Sequence, residues 1–337
     1  MSNIREVSRL AGVSIATVSR TLKNPDVVSS KTREIVLKAI EEAGYRPNLL
    51  ARNFSTGKSH AVVVLVPNVA NPFFSRVIRG IEQAAQEKGY SVLLGDTQGK
   101  PEREHDYARL GLTNQADGLI QLYSRYPFAE ADSALAASVP MVNACERISD
   151  DCEIPVVELD NRAAGRAVTR HLVELGHRRI GVITGPTDSP IVRDRMAGFQ
   201  DVLTEAGIAA DAGLIANGDF SMASGANGAK ALLAAVAPPT AVFCFNDEMA
   251  IGAMHAFRYA GLKVPEDMSV AGFDNIDYAS FTNPPLTTIN QPAEELGRHS
   301  MNALYRLMKG ESLEVSRIML SFTLMVRDST RPVGGSR

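Results

Sequence analysis

The chain has 337 residues, of which 45% are apolar and 22% charged, and it carries a formal net charge of −3; it is too long for one ordinary core and too apolar to be disordered. The charge is unevenly placed, because the first 60 residues hold ten Lys/Arg against five Asp/Glu and the other 277 hold 25 against 33, a head of +5 on a body of −8. That pattern suits a nucleic-acid module joined to a second domain. Three scattered cysteines (Cys145, Cys152, Cys244) give neither a disulfide framework nor zinc spacing, and read as reduced packing residues, while the lack of a membrane-length apolar run or a signal-peptide core leads to the expectation of a cytoplasmic protein without a membrane partner.

Taken in chain order, Asn3 is placed to cap a first helix, with Glu6 completing a capping box. Val7, Leu10 and Ala11 form its apolar stripe, Gly12 permits the turn, and Val13 fills the space before the second helix. Ser14 is a second cap, Thr17-Val18 begin the second helix with Leu22 on its buried side, and Asn24-Pro25-Asp26 end it. A third helix is expected from about Lys31 to Ala43, with Val36, Ala39, Ile40 and Ala43 on one face and Gly44 as its stop. Three such helices make a helix-turn-helix headpiece over residues 1–46. Its second helix turns Ile15, Ala16, Thr17, Ser19, Arg20 and Lys23 outward. Arg20 suits a guanine edge and small apolar groups suit thymine methyls, whereas Ser14, Thr17, Ser19 and Lys23 suit phosphates.

Residues 47–58 read as a hinge helix, opened by Pro47-Asn48 and closed by Gly57. About eight helical residues are marginal in water, so this segment is expected to be helical only when braced by DNA and a partner subunit. Asn48, Leu50, Arg52 and Phe54 are its DNA-facing candidates, with Leu50 or Phe54 as a minor-groove wedge.

From Ala61 onward, apolar runs alternate with helix-length patterns: Ala61–Val66, Ser91–Gly95, Gly118–Leu122 and Pro140–Asn143, then Arg179–Thr184, Thr240–Phe245 and Met268–Phe273. Continuous apolar strands with helical crossovers mean parallel sheets, and two series in residues 59–337 mean two α/β lobes with a ligand cleft outside the strand carboxyl ends. The residues at those ends include Phe73, Phe74, Ser124, Arg195, Phe220, Asn246 and Asp274. The aromatic rings suit stacking on a sugar or base, and Arg195, Asn246 and Asp274 suit adjacent hydroxyls. No catalytic constellation or cofactor motif emerges. Gly225-Ala226-Asn227-Gly228-Ala229-Lys230 follows no strand in dinucleotide-binding form. His171, His177, His255 and His299 are expected at the surface, and the pairs Glu41-Glu42 and Glu294-Glu295 in solvent.

Val13-Ser14-Ile15-Ala16-Thr17-Val18-Ser19-Arg20, Gly44-Tyr45-Arg46-Pro47-Asn48, Val270-Ala271-Gly272-Phe273-Asp274-Asn275 and Pro284-Pro285-Leu286-Thr287-Thr288-Ile289-Asn290-Gln291-Pro292 resemble the lactose/galactose repressor (LacI/GalR) family of bacterial transcription regulators. The resemblance spans nearly the whole chain. It implies an all-α helix-turn-helix headpiece with a hinge helix, followed by a two-lobed core like a type I periplasmic binding protein. The N-lobe would take about 60–160 and 291–320, the C-lobe about 161–290 and 321–330. It further implies a homodimer on pseudo-palindromic double-stranded operator DNA, and a small-molecule effector in the cleft.

Carried over by position, Ile15, Ala16 and Arg20 would touch bases and residue 54 would be the wedge, where this chain has Phe54 in place of the family's usual Leu. Phe74, Arg195, Phe220, Asn246, Asp274 and Gln291 match effector-contacting positions. Asn71-Pro72-Phe73-Phe74-Ser75, Ser124-Arg125-Tyr126-Pro127-Phe128 and Asn275-Ile276-Asp277 look most like the family's cytidine-responsive members. Purine-responsive members use an Arg and a Thr where this chain has Ser189 and Ile191. The resemblance thus points to a nucleoside or pentose as effector. The rival readings are a transport binding protein, which predicts a signal peptide and no basic head, and an α/β enzyme acting on nucleosides, for which no nucleophile, metal set or phosphate loop is found. The tail from Asp328 to Arg337 lacks heptad leucines, so no tetramerising coiled coil is expected.

Overall fold

The computed structural model describes residues 3–45, 57–149 and 151–334, which fall into two compact units that divide between Ser59 and His60. The candidates Asn48, Leu50, Arg52 and Phe54, and with them the expected hinge helix, lie outside the described residues.

The first unit holds α1 (Ile4–Ala11), α2 (Ile15–Lys23), a 3₁₀ turn (Pro25–Val27) and α3 (Ser30–Ala43). Each helix starts on a side-chain cap: Asn3 accepts from the Glu6 N–H, Ser14 from Thr17 and Ser29 from Thr32. Gly12 and Gly44 end α1 and α3 at φ 63° and 57°, left-handed values that cost glycine nothing. Val7, Ala11, Val18, Val36 and Ala39 form the core. Two details depart from expectation. The Glu6 carboxylate turns to Arg9 at 2.6 Å instead of closing a capping box. Leu10 is 36% exposed, because Val7 and Ala11, four residues apart, already fill the narrow contact with α3.

The second unit contains two six-stranded sheets. In chain order its elements are β1 (Ala61–Val66), α4 (Pro72–Glu87), β2 (Ser91–Asp96), α5 (Pro101–Leu112), β3 (Gly118–Gln121), α6 (Ser133–Ala136), β4 (Met141–Ala144) and β5 (Val156–Leu159). Next come α7 (Asn161–Glu174), β6 (Ile180–Thr184), α8 (Pro190–Glu205), β7 (Ile215–Asn217), α9 (Met222–Leu233), β8 (Ala241–Cys244), α10 (Asp247–Tyr259) and β9 (Ser269–Asp274). The last are β10 (Thr287–Asn290), α11 (Ala293–Met308), β11 (Arg317–Leu320) and β12 (Thr323–Met325). The first sheet runs β2-β1-β3-β4-β5-β11 and the second β7-β6-β8-β9-β10-β12, the same order twice. Every pairing is parallel except β10 with β12. The chain therefore passes between lobes three times, after β5, β10 and β11.

Strands such as β1 and β9 are buried along their whole length, as parallel strands covered on both faces must be. Three helix pairs pack backbone to backbone through reciprocal glycines. A Cβ on Gly80 would lie 2.0 Å from the Glu294 carbonyl and one on Gly297 2.0 Å from Val77, which seats α11 on α4. Gly165 and Gly198 do the same for α7 and α8, and Gly225 and Gly252 for α9 and α10. In the Gly225–Lys230 run, Gly225 thus serves helix packing and Gly228 lies against the Ile183 side chain of β6.

His177 corrects a sequence expectation. It is 3% exposed rather than on the surface, bonded to the Thr240 hydroxyl at 2.9 Å and the Arg331 carbonyl at 3.1 Å. The turn after α7 carries it under the C-terminal segment, which sequence periodicity does not register. All three cysteines are unpaired, and no described helix is long and apolar enough to cross a membrane.

Candidate functional site

In the first unit the candidate residues cluster on α2. Ile15 is 43% exposed, Ala16 and Arg20 are exposed, and Arg20 makes no ion pair among the described residues. Thr17 and Ser19 are half-buried. The Ser14 and Thr17 hydroxyls meet at 2.9 Å while Ser14 Oγ takes the Thr17 N–H at 3.1 Å, so both are held at the helix start. Lys23 closes the helix. The result is a capped helix offering one free guanidinium beside two apolar side chains, the chemistry needed at a major-groove base edge.

The second site lies between the two lobes of the second unit. About 490 Å³ of space, open to solvent, is lined from the first lobe by Asn71, Phe73, Phe74, Leu122, Cys145 and Glu146, and from the second by Ile191, Arg195, Phe220, Asn246 and Asp274, with Gln291 at the crossing after β10. The structure thus brings together Phe73, Phe74, Arg195, Phe220, Asn246, Asp274 and Gln291. Ser124 does not line this space.

Each side chain is positioned by local structure. Asn246 caps α10 by accepting from the Met249 N–H at 2.9 Å, and its amide donates to the Phe220 carbonyl at 2.9 Å. The Phe220 ring lies against the Gly185 backbone, where a Cβ would come within 2.2 Å of it. Phe73 and Phe74 meet edge to face at 5.4 Å. Four residues that line or flank the cleft have left-handed backbone, namely Cys145 (φ 70°), Phe220 (68°), Asp274 (121°) and Asn275 (51°). Such strain concentrates at binding sites, where the surrounding packing fixes it.

Arg195 is the electrostatic centre and is 3% exposed. Its Nε donates to Asn161 Oδ1 at 2.9 Å, its Nη1 donates to the Phe245 carbonyl, and its guanidinium lies 3.5 Å from the Phe273 ring centroid. Desolvation lowers its pKa to about 10, opposed by Asp274 and Glu146, so it stays a cation at neutral pH. Asp274 accepts from Gln291 Nε2 at 2.6 Å, and burial pushes its pKa up to about 7 against the pull of Arg195. Beneath it, buried Asp247 is held by the Ile276 N–H at 2.9 Å and the Thr288 hydroxyl at 2.6 Å.

Sequence reasoning missed Glu146. Its carboxylate takes the Ser189 hydroxyl at 2.5 Å, and burial raises its pKa while this donor opposes the rise. Cys145 lines the cleft instead of merely packing, and burial raises its thiol pKa, which makes it a poor nucleophile. The usable signal was position, since Glu146 stands two residues past β4 just as Asn246 stands two past β8.

This arrangement has a cation, two carboxylates, three carboxamides and aromatic faces. No group of three metal-binding side chains occurs among the described residues. Residues 3–48 match "Bacterial regulatory proteins, lacI family" and residues 169–330 match "Periplasmic binding protein-like domain". The HTH-type transcriptional repressor CytR of Escherichia coli (strain K12) is 42% identical over 330 residues, covering 98% of this chain and 96% of that protein. The chain belongs to the lacI family. The HTH-type transcriptional repressor PurR of Photobacterium profundum is 33% identical over 340 residues, covering 98% of this chain and 99% of that protein. Among solved structures, the lac repressor dimer bound to operator and the anti-inducer ONPF superposes with a TM-score of 0.87 at 32% identity, covering 98% of this chain and 99% of that one. Like its lacI-family relatives, the chain is a DNA-binding transcription repressor with an effector-binding domain, not an enzyme.

Proposed function

We propose that a homodimer of this repressor reads pseudo-palindromic operator DNA with α2, and that a nucleoside in the interlobe cleft sets its grip. Paired headpieces would meet half-sites about one DNA turn (roughly 34 Å) apart. One observation carries the effector assignment. Buried Arg195, Asp274, Asn246 and Gln291 form a hydroxyl clamp in the same cavity as the Phe74 and Phe220 rings. The clamp suits a ribose and the rings suit a base.

Two further points support a nucleoside. Ser189 gives its hydroxyl to Glu146, and Ile191 presents an apolar side chain, so neither offers a charged contact to a free purine base. The similarity to CytR exceeds that to PurR, 42% against 33%. A bare pentose is the second reading, favoured by 34% identity over 340 residues to the ribose operon repressor of Escherichia coli (strain K12), which covers 98% of this chain. It leaves the aromatic wall without an occupant. Titrating operator DNA with and without cytidine, uridine, adenosine and ribose tests the choice. A shift in operator affinity with a nucleoside but not with ribose is expected, and unchanged affinity with all three nucleosides overturns the proposal.

A further inference from the structure

We infer that Glu146 is a specificity-determining residue that reads the base, accepting an exocyclic amino N–H so that the cleft takes amino-bearing nucleosides over their keto counterparts. The inference rests on the nucleoside reading above and extends it to base identity.

The two walls of the cleft differ in chemistry. The second lobe supplies Arg195, Asn246 and Asp274, whose donors and acceptors match ribose hydroxyls. The first lobe supplies Phe73, Phe74, Leu122 and Cys145, a largely apolar wall for a flat ring with Asn71 at its side, and Phe220 and Ile191 of the second lobe add apolar surface opposite. Glu146 is the one ionisable carboxylate in that wall, and it is 5% exposed. A base lying on the first lobe therefore has a single charged group to meet.

The acceptor count favours an amino group. An ionised carboxylate offers about four acceptor sites. Oε1 takes the Ser189 hydroxyl. Acceptor capacity remains, on a residue that lines the cavity. It accepts the N4 amino group of cytosine or the N6 amino group of adenine, the pairing a carboxylate makes with cytosine elsewhere. The O4 of uracil would face it acceptor to acceptor, leaving both buried groups unsatisfied. Burial raises the Glu146 pKa, and the Ser189 hydroxyl and nearby Arg195 oppose that rise.

The test uses the full-length chain and direct calorimetric binding of three ligands. Wild type should bind cytidine roughly 10- to 100-fold more tightly than uridine, the range expected for one unsatisfied buried polar pair. N4,N4-dimethylcytidine, which keeps ring and ribose but has no N–H to give, should fall to the uridine level. Glu146→Gln, whose amide can donate as well as accept, should reduce the cytidine-to-uridine ratio to within about threefold of unity or reverse it. Equal wild-type binding of cytidine and uridine overturns the inference while leaving the nucleoside reading intact. So does a Glu146→Gln protein that keeps the full wild-type ratio. If that variant does not fold, the dimethylcytidine comparison on wild type decides alone, and tight binding of that ligand refutes the role. If no nucleoside binds wild type, the nucleoside reading and this inference fall together.

Discussion

Replacing Arg195 with Met keeps the volume of the side chain and removes its charge, and the consequence can be worked from its surroundings. The guanidinium is 3% exposed and gives hydrogen bonds to Asn161 and Phe245. Each charge-assisted bond contributes about 1.5–3 kcal/mol, and the contact with the Phe273 ring about 2 kcal/mol when desolvated. Met recovers part of this through apolar contact. The Asp274 and Glu146 carboxylates, however, lose the cation that offsets their burial. Breaking a buried pair in this way costs about 3–5 kcal/mol. Both carboxylates can escape the penalty by taking up a proton, because burial already raises their pKa values, so the loss should be greater at pH 8 than at pH 5. Urea unfolding of the full-length protein, followed in the larger unit at both pH values, measures it. Asp274→Asn added to Arg195→Met should recover some of the loss, since it removes the uncompensated charge. A urea midpoint for Arg195→Met equal to that of wild type at pH 8 would show that the cleft carboxylates do not depend on this cation, and the electrostatic account of the site would be wrong.

Asp274 also sets a pH dependence. Its pKa is raised from the ordinary 3.8 to about 7 by burial, so the folded chain binds this proton more tightly than the unfolded chain. The larger unit should therefore lose stability as pH rises from about 4 to 7. Asp274→Asn should make that fall shallower, and identical slopes in both proteins would contradict the assignment. In Gly252→Ala, the new Cβ would come 1.9 Å from the Met222 carbonyl, forcing α9 from α10; a loss of at least about 1–3 kcal/mol in urea unfolding is expected, and none would mean that the helices separate freely. Arg20→Ala should weaken operator binding by about 1–3 kcal/mol and relax base preference at one position. Equal losses on operator and random duplex would reduce Arg20 to a phosphate contact.

Where the local sequence determines the geometry, it was readable. Asn3, Ser14 and Gly44 act through bonds three or four residues away, so they announce the helix ends of the first unit directly. Strands β1, β8 and β9 are continuous apolar runs because both faces are covered. Short strands escaped notice: β10 reads Thr-Thr-Ile-Asn and β7 is three residues long, too short to show a pattern. In the cleft, strand-end position revealed Asp274 and Asn246, but Glu146 sits between Cys145 and Arg147 in what reads as an ordinary polar loop. Its burial comes from Ser189 and Ile191 of the other lobe, more than 40 residues away. His177 was missed for the same reason, since Arg331, 154 residues on, covers it.

Among the described residues, Asn71, Arg76, Arg147 and Ser189 each reach from one lobe to the other, and each of these contacts adjoins a residue of the cleft. Asn71 Nδ2 reaches Glu248 at 2.7 Å, two residues before Phe73 and two after Asn246. Arg76 bonds the carbonyl of Asn275, the neighbour of Asp274, at 3.0 Å. Ser189 bonds Glu146 itself, and Arg147 pairs at 2.6 Å with Asp194, which precedes Arg195. Moving a two-state equilibrium from nearly full to nearly empty takes about 5.5 kcal/mol of differential ligand affinity. A neutral hydrogen bond contributes about 0.5–1.5 kcal/mol and a charge-assisted one about 1.5–3 kcal/mol. No single tie reaches the required difference. On the proposed reading, a ligand bonded to Asp274 on one lobe and Glu146 on the other would act next to at least two ties at once, and any change in lobe angle would be concerted rather than the release of one latch.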